Sequence, residues 1–371
     1  MGLIKDLKPN IAFLNPPYKE GNSEKQLEFI ENACDLLETN GTCVAIVQFS
    51  CAISRQKNVL LVKERLLKKH KLKAVFSMPD ELFTPVGVVT CIIVLQSHTP
   101  HDKNSKTFFG YFKDDGFVKT KKGRIDKNNQ WHEIEKHWLK IYKNNEEQDG
   151  LSVKKEVTFE DEWCAEAYMV TDYSKLTKED FINMVHNFVT YKFASKLLSN
   201  ASNDSVAKST ISLNQNEWEY FKLQELFLLK MCGYPKIPET EGKIPLITAT
   251  EFNNGVHSYI DAEKNKIFKG GKYLTIAKNG KPMVTFYQPS DFSYNIHVLP
   301  IKLKNFELNQ YIAMFLVTIL NNEQYRFSYG RAASQISLKT LKIKLPIDAN
   351  SLPDWKFMED YIKSLPYSAS L

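Results

Sequence analysis

No two of the six cysteines are spaced Cys-x-x-Cys, and none belongs to a Cys/His cluster, so the sequence carries no zinc-site spacing and no disulfide framework. Cys34, Cys43, Cys51, Cys91, Cys164 and Cys232 read as reduced thiols of a cytosolic protein. Long hydrophobic runs are also missing. The longest, Val86 to Leu95, is too short to span a bilayer. No signal peptide precedes the first motif, and Asp6 stands where a myristoylation signal after Gly2 needs Ser or Thr. The expectation is a cytoplasmic protein with no membrane partner and no metal. No internal repeat occurs at solenoid periods.

Aromatic side chains are plentiful: 23 Phe, 17 Tyr and 5 Trp in 371 residues supply ample core material and exclude a disordered chain. The length suggests two or three domains. The formal charge of +6 is unevenly placed. Between Lys222 and Leu345 stand 17 Lys/Arg against 9 Asp/Glu, whereas the remainder holds 32 against 34. A basic stretch joined to a neutral one points to a polyanionic partner, or to a solvated lysine-rich surface.

Organisation follows from hydrophobic periodicity. Ile11–Leu14 reads as a buried strand ending at Asn15, and Glu24–Glu38 as a helix with Leu27, Ile30, Ala33, Cys34 and Leu37 on one face. Asn40-Gly41 stops that helix. Thr42–Phe49 is a second strand, Val59–His70 a second helix, Lys73–Met78 a third strand and Val86–Leu95 a fourth. Strands alternating with helices imply a mostly parallel sheet with helices on both faces. The fourth strand, reached without a crossover helix, should pair antiparallel to its neighbour. The fold class expected is α/β, a partial doubly wound sheet. Thr107–Arg124 reads as a hairpin, Trp131–Lys143 and Lys178–Leu198 as helices, and Ser199–Ser212 as a linker. Beyond it, short strands broken by Asn253-Asn254-Gly255, Gly270-Gly271 and Asn279-Gly280 lead to an amphipathic helix over Asn309–Asn321.

Chemistry concentrates in Asn15-Pro16-Pro17-Tyr18, directly after the first strand. Most such tripeptides are simple turns, but the carboxyl end of a buried strand is where open α/β sheets bind ligands. The amide oxygen of Asn15 and the carbonyl of Pro16 can both accept hydrogen bonds from one exocyclic amine. Two acceptors draw the nitrogen lone pair out of conjugation and make it a better nucleophile. Prolines have no N–H to compete and hold the carbonyl rigidly. Tyr18 offers a face on which an extruded base can stack.

This element resembles motif IV of the amino-methyltransferases that use S-adenosylmethionine, a signature also found in protein-glutamine and RNA methylases. The segment Met78–Leu95 is similar to the closing hairpin of type I and type IIG adenine-N6 DNA methyltransferases. By that resemblance Phe83 would stack on the other face of a flipped adenine; the alternative is a core anchor beside Leu82. Ile244–Gly255, Tyr329–Pro346 and Pro353–Lys363 resemble the target-recognition domain of type I specificity subunits. The resemblance implies a Rossmann-like methyltransferase part over 1–100, a connector with hairpin and helices over 101–212, and an α+β DNA target-recognition domain over 213–371. It implies S-adenosylmethionine as cofactor and double-stranded DNA as partner. Phosphates would meet Lys278, Lys281, Arg331 and Lys339, and base edges Asn254, Asn279 and Gln335, each of which could equally be a solvated loop residue.

The sequence departs from that family in one respect. A complete enzyme carries a Gly-x-Gly turn after its first strand, and none follows a strand here in the right place. The expectation is therefore an incomplete methyltransferase whose cofactor-binding half comes from a second polypeptide, with an inactive gene fragment or a non-catalytic DNA-specificity module as the alternatives. Methylation of RNA or protein is a weaker third reading. Pro79-Asp80 has no nuclease-like continuation, so DNA cleavage by this chain is not expected.

Overall fold

A computed structural model describes residues 8–18, 23–83, 87–121, 123–197, 211–229, 233–328 and 330–371. The chain divides into two compact units, Met1–Val170 and Thr171–Leu371. Cys232 and the expected linker, save its last two residues, lie outside the described residues. The residues expected to form a connector are shared between the units: those up to Val170 join the first, and the helix Lys178–Ala194 joins the second.

The first unit is built on a six-stranded mixed sheet ordered β1-β2-β4-β3-β5-β8. Its strands are β1 (Ile11–Leu14), β2 (Thr42–Gln48), β3 (Lys71–Ser77), β4 (Thr90–Gln96), β5 (Lys106–Tyr111) and β8 (Ser152–Glu156). β1 pairs parallel with β2, and β3 parallel with β5. β4 is antiparallel to both its neighbours, as the missing crossover helix predicts, but it lies inserted between β2 and β3. The expected hairpin over Thr107–Arg124 is corrected. Thr107, Phe108, Phe109 and Gly110 are all buried, so this run is an interior strand, and only β6 (Val118–Thr120) and β7 (Gly123–Ile125) form a hairpin.

Helix α1 (Ser23–Leu36) buries Leu27, Ile30 and Cys34 of its expected stripe, and α2 (Lys57–Lys69) buries Val59, Val62 and Leu66. Asn40 turns the chain out of α1 in a left-handed conformation, φ 67°. Helix α3 (Trp131–Asn144) closes a second core on the sheet. There Phe112 stacks on Phe76 (centroids 5.2 Å, 20° between planes) and on Trp138 (4.6 Å, 4°). Lys63 is wholly buried, donates to the carbonyls of Ala52 (3.1 Å) and Asp161 (2.6 Å), and lies 4.2 Å from the Trp163 ring centroid. It fastens the segment after β8 to the turn after β2.

The second unit surrounds one helix, α5 (Gln310–Asn322), which follows α4 (Lys178–Ala194). Asn309 caps α5 by accepting from the Ile312 amide at 3.0 Å. The expected amphipathic helix is corrected here as well: every residue from Ile312 to Leu320 is buried, the pattern of a helix enclosed on all sides. A four-stranded antiparallel sheet, β10 (Phe227–Leu229), β16 (Val298–Leu303), β13 (Tyr273–Ala277) and β14 (Thr285–Gln288), shares its core, and a three-stranded sheet, β12 (Val256–Ile260), β11 (Ile244–Ile247) and β15 (Ser293–Tyr294), builds smaller cores of its own. An antiparallel pair, β9 (Glu219–Lys222) with β17 (Lys342–Leu345), and two short helices, α6 (Gln335–Thr340) and α7 (Trp355–Lys363), complete it. Glu323, fully buried, accepts from Thr171 (2.7 Å), Tyr173 (2.7 Å) and Arg326 (3.1 Å), which ties the start of this unit to the end of α5.

The stacked aromatics of the first unit should carry much of its stability. Trp138→Ala is expected to destabilise that unit by about 3–5 kcal/mol in denaturant unfolding, the range for deleting a large buried ring. An unchanged midpoint would show that the stack contributes little.

Candidate functional site

Strand polarity decides what meets at the candidate site. β1, β2, β3 and β5 all run in one direction, and β4 runs against them. One edge of the sheet therefore gathers Asn15 after β1, Phe49 after β2, Ser77 at the end of β3, Thr90 at the start of β4 and Lys113 beyond β5.

At this edge Asn15 is exposed, and its amide has no hydrogen-bond partner among the described residues. Pro16 is buried, Pro17 exposed and Tyr18 half-buried. The Tyr18 hydroxyl donates to the Ile46 carbonyl at 3.3 Å. Burial pushes its pKa up to about 12, helped by the neighbouring Cys91 and Cys51 thiols. Phe83, also half-buried, meets Tyr18 edge to face with ring centroids 5.5 Å apart and planes at 80°. The structure thus brings together two candidate aromatics that stand 65 residues apart in the sequence. Their contact leaves no slot between them, since a base sandwiched by two rings needs about 7 Å, two van der Waals separations. A base could sit between the two rings only if Phe83 turned aside.

Helix α1 begins at a firmly held point. Gln26 and Gln48 form a reciprocal pair: the Gln26 amide donates to Gln48 Oε1 (2.6 Å), and the Gln48 backbone N–H donates to Gln26 Oε1 (3.0 Å). Ser23 and Ser50 share a hydrogen bond of 2.7 Å. These contacts were not legible in the sequence, because 22 residues separate the two glutamines and no motif links them.

A charged cluster lies at the same edge. Glu166, 1% exposed, accepts from the Ser77 hydroxyl at 2.6 Å, and Lys113 Nζ lies 3.5 Å from its other oxygen. Lys113 also reaches Asp80 at 2.8 Å. Burial acts to lower the Lys113 pKa, but Glu166 and Asp80 outweigh it and hold the ammonium above its ordinary range. Sequence reasoning gave no role to Ser77, Lys113 or Glu166 and weighed Asp80 only as a nuclease motif that it set aside; the only available signal was a lysine two residues beyond a buried aromatic strand.

The seven candidates for DNA contact fall into two groups. Lys278, Asn279 and Lys281 follow β13; Lys278 is half-buried, and the other two are exposed. The Lys278 ammonium has no partner among the described residues, and burial lowers its pKa. Asn279 is hydrogen-bonded to His297 at 2.9 Å, and Lys281 is paired with Glu251. The segment before α6 comes alongside, through the Ala333 amide donating to the Lys278 carbonyl at 3.1 Å. In α6 itself Gln335 is half-buried and donates to the Leu229 carbonyl at 3.3 Å, and Lys339 is exposed. Asn254 and Arg331 instead face the interior. Asn254, 7% exposed with φ 53°, donates to the Tyr287 carbonyl at 2.8 Å. Arg331, 6% exposed, donates to the Arg326 carbonyl at 3.0 Å and lies 4.9 Å from the Phe327 centroid. Both shape loops.

Among the described residues no group of His, Cys, Asp and Glu could hold a metal, and no helix is long and apolar enough to cross a membrane. Cys34, Cys43, Cys51, Cys91 and Cys164 are free and buried.

Comparison with known proteins places families on both units. Residues 7–169 match N-6 DNA Methylase, and residues 215–366 match the type I restriction modification DNA specificity domain. The chain is similar to the type II restriction enzyme and methyltransferase RM.BcgI of Heyndrickxia coagulans, 29% identical over 50% of this chain and 30% of that protein. It is similar also to the specificity subunit S.BcgI of the same organism, 30% identical over 46% of this chain and 51% of that one. The chain thus spans about a third to a half of the length of these curated relatives. The crystal structure of the type IIG restriction endonuclease BpuSI is similar at a TM-score of 0.34, with 10% identity over 97% of this chain and 50% of that one.

The raised pKa of Tyr18 gives a direct test of its environment. Because the folded value exceeds the unfolded one, the neutral phenol is favoured in the native state. That stability is complete below about pH 10 and is lost only as pH rises toward the folded value. Tyrosinate difference spectra of the wild type and Tyr18→Phe should therefore coincide up to about pH 11 while the fold persists. A missing titration near pH 10 in the variant would show Tyr18 to be solvated.

Proposed function

We propose that this chain, a member of the adenine-N6 DNA methyltransferases of restriction–modification systems with a specificity domain behind its methylase region, holds an adenine extruded from duplex DNA at Asn15 and Tyr18. One observation carries the reading: the amide of Asn15, without a partner among the described residues, stands at the carboxyl end of β1, three residues before Tyr18, whose ring meets Phe83. The Asn15 amide oxygen and the Pro16 carbonyl accept from the adenine amine and localise the lone pair on its nitrogen. Pro17 keeps the turn stiff. Tyr18 presents a ring face to the base, anchored through its bond to Ile46, and Phe83 closes the other side after turning aside.

S-adenosylmethionine, the methyl donor of this family, supplies an electrophilic methyl group on sulfur. The described residues do not fit its usual cradle, because no glycine-rich turn follows a strand among them. Every step assigned here therefore concerns the base. The outer edge of β1 supports a further assignment. Among the described residues β1 pairs only with β2, and Ile11 and Phe13 are 55% and 80% exposed. Further strands, from this polypeptide's own continuation or a second subunit, extend the sheet there and bring the cofactor side of the site. The first unit would then be the later half of a doubly wound methyltransferase sheet.

The second unit reads duplex DNA. Lys278, Lys281 and Lys339 meet phosphates, while Asn279 and Gln335 stand where base edges would pass. A second reading rests on the absent glycine turn: a DNA-specificity module without catalysis. The two separate cleanly by experiment. In the assembled enzyme Asn15→Ala should lower adenine methylation of genomic DNA by at least about 100-fold, since positioned polar groups commonly contribute that much, and leave DNA binding unchanged. Methylation persisting in the variant would remove Asn15 from the chemistry, and a wild type that binds DNA without methylating it would establish the second reading.

Affinity for DNA should fall steeply with salt, and Lys278→Ala should reduce the slope of log K against log salt by about one, the value for one lost phosphate contact. An unaltered slope would place the duplex elsewhere on this unit.

A further inference from the structure

We infer that Lys113 is a positioning residue for the base site, fixing the root of the arm that carries Phe83 through its ion pair with Asp80. The inference rests on the proposed role of Phe83 beside Tyr18. Asp80 precedes Phe83 by three residues, on the short described segment between β3 and the residues before β4. Lys113 holds Asp80 at 2.8 Å, and Lys119 holds the next residue, Glu81, at 2.9 Å. Both lysines come from the chain just beyond β5, so one stretch grips two consecutive carboxylates of the arm.

The grip is only as good as the rigidity of Lys113, and three contacts supply that. Its neighbour Phe112 stacks on Phe76 and on Trp138. Its own stem is buried, with the side chain 10% exposed, and its ammonium lies 5.5 Å from the Phe49 centroid and 5.7 Å from that of Tyr111. Its second carboxylate partner is the buried Glu166, itself fixed by Ser77 at the end of β3. The ammonium is thus balanced between one interior carboxylate and one on the arm. Asp80, with 46% of its side chain exposed, is the partner that can be changed without opening the core.

The division of labour follows from these positions. The arm is fixed at Asp80 and Glu81, so the motion that makes room between the two rings is a turn of Phe83 about a held root. An arm released at that root would let Phe83 wander from the site, and the base would lose the ring that closes over it.

Asp80→Asn tests this in the full chain, because it preserves shape while removing the charge that Lys113 holds. Amide hydrogen exchange over residues 79–83 should rise about fivefold, the upper range for a pair with one exposed partner, while β3 and β4 exchange as in the wild type. Asp80→Glu should restore the wild-type rate. Unchanged exchange in Asp80→Asn overturns the inference, whatever the enzyme does, and faster exchange throughout the sheet overturns it too by showing a general loss of stability. Methylation of genomic DNA by the assembled enzyme provides the second readout: kcat/KM should fall about fivefold in Asp80→Asn and recover in Asp80→Glu. A released arm with an undiminished rate would show that the root does not position the base. A wild type without adenine methylation would instead remove the proposed function, and with it the purpose of the arm, while the exchange measurement still decides the ion pair.

Discussion

The common direction of β1, β2, β3 and β5 is the constraint on which the candidate site depends. A strand delivers its last residue, and the turn after it, to one edge of the sheet. With four strands aligned, that edge collects Asn15, Phe49, Ser77 and Lys113 without any local sequence relation between them. The insertion of β4 between β2 and β3 completes the arrangement. Running the other way, it brings the arm of Phe83 back to the same edge from which β3 departs, so Phe83 can lie across Tyr18. Had β4 been parallel, a crossover would have carried that arm to the opposite edge, away from the motif.

Polar groups at this edge are held by chemistry that would be costly in isolation. A carboxylate as buried as Glu166 is costly to bury without hydrogen bonds and a paired charge. Ser77 and Lys113 provide both, and the stack of Phe76, Phe112 and Trp138 prevents the lysine from relaxing away. Rigidity below the edge contrasts with the exposed Asn15 and the half-exposed rings above it. That gradient suits a site in which the acceptor atoms must be fixed and the covering ring must yield.

Local chemistry made part of this legible from sequence. The strand Ile11–Leu14 followed from its apolar run, although among the described residues it is an edge strand with no buried residue rather than the buried strand expected. The two flanking helices followed from periodicity of 3.6 and the turn motif from Asn-Pro-Pro chemistry, which act over a few residues. The antiparallel β4 followed from the lack of a crossover. The non-local part remained hidden. Lys106–Tyr111 looked like half of a hairpin because turn residues come after it, yet burial on both faces makes it an interior strand. The helix Gln310–Asn322 was read as amphipathic although its apolar residues encircle it, which only a surrounding core explains. Asn254 showed the composition of a base-reading loop, but its left-handed backbone and its bond to the Tyr287 carbonyl turn it inward. The meeting of Lys113 with Asp80 and Glu166, 33 and 53 residues away, belongs to the same class of fact.

The outer side of β1 points beyond the described residues. Phe13 alone is 80% exposed, and a fully buried side chain of that size contributes about 1.5–3 kcal/mol by leaving water. Ile11, on the same face two residues before it, adds a comparable gain. Beside them runs a row of β1 backbone groups with no ladder partner among the described residues, because β2 occupies only one side of the strand. Sheet edges of this kind are normally shortened, charged or covered, since an apolar open edge invites pairing with other chains. Four residues make β1 short, but Ile-Ala-Phe-Leu carries no charge to guard it. A further strand would pair the backbone groups of that edge and set its own side chains beside Phe13. It would also extend the sheet on the side next to Asn15, where a methyl donor must approach the adenine amine. Under the proposed function, β1 itself would set the position of the acceptor base and mark the side on which the donor half of the site is built.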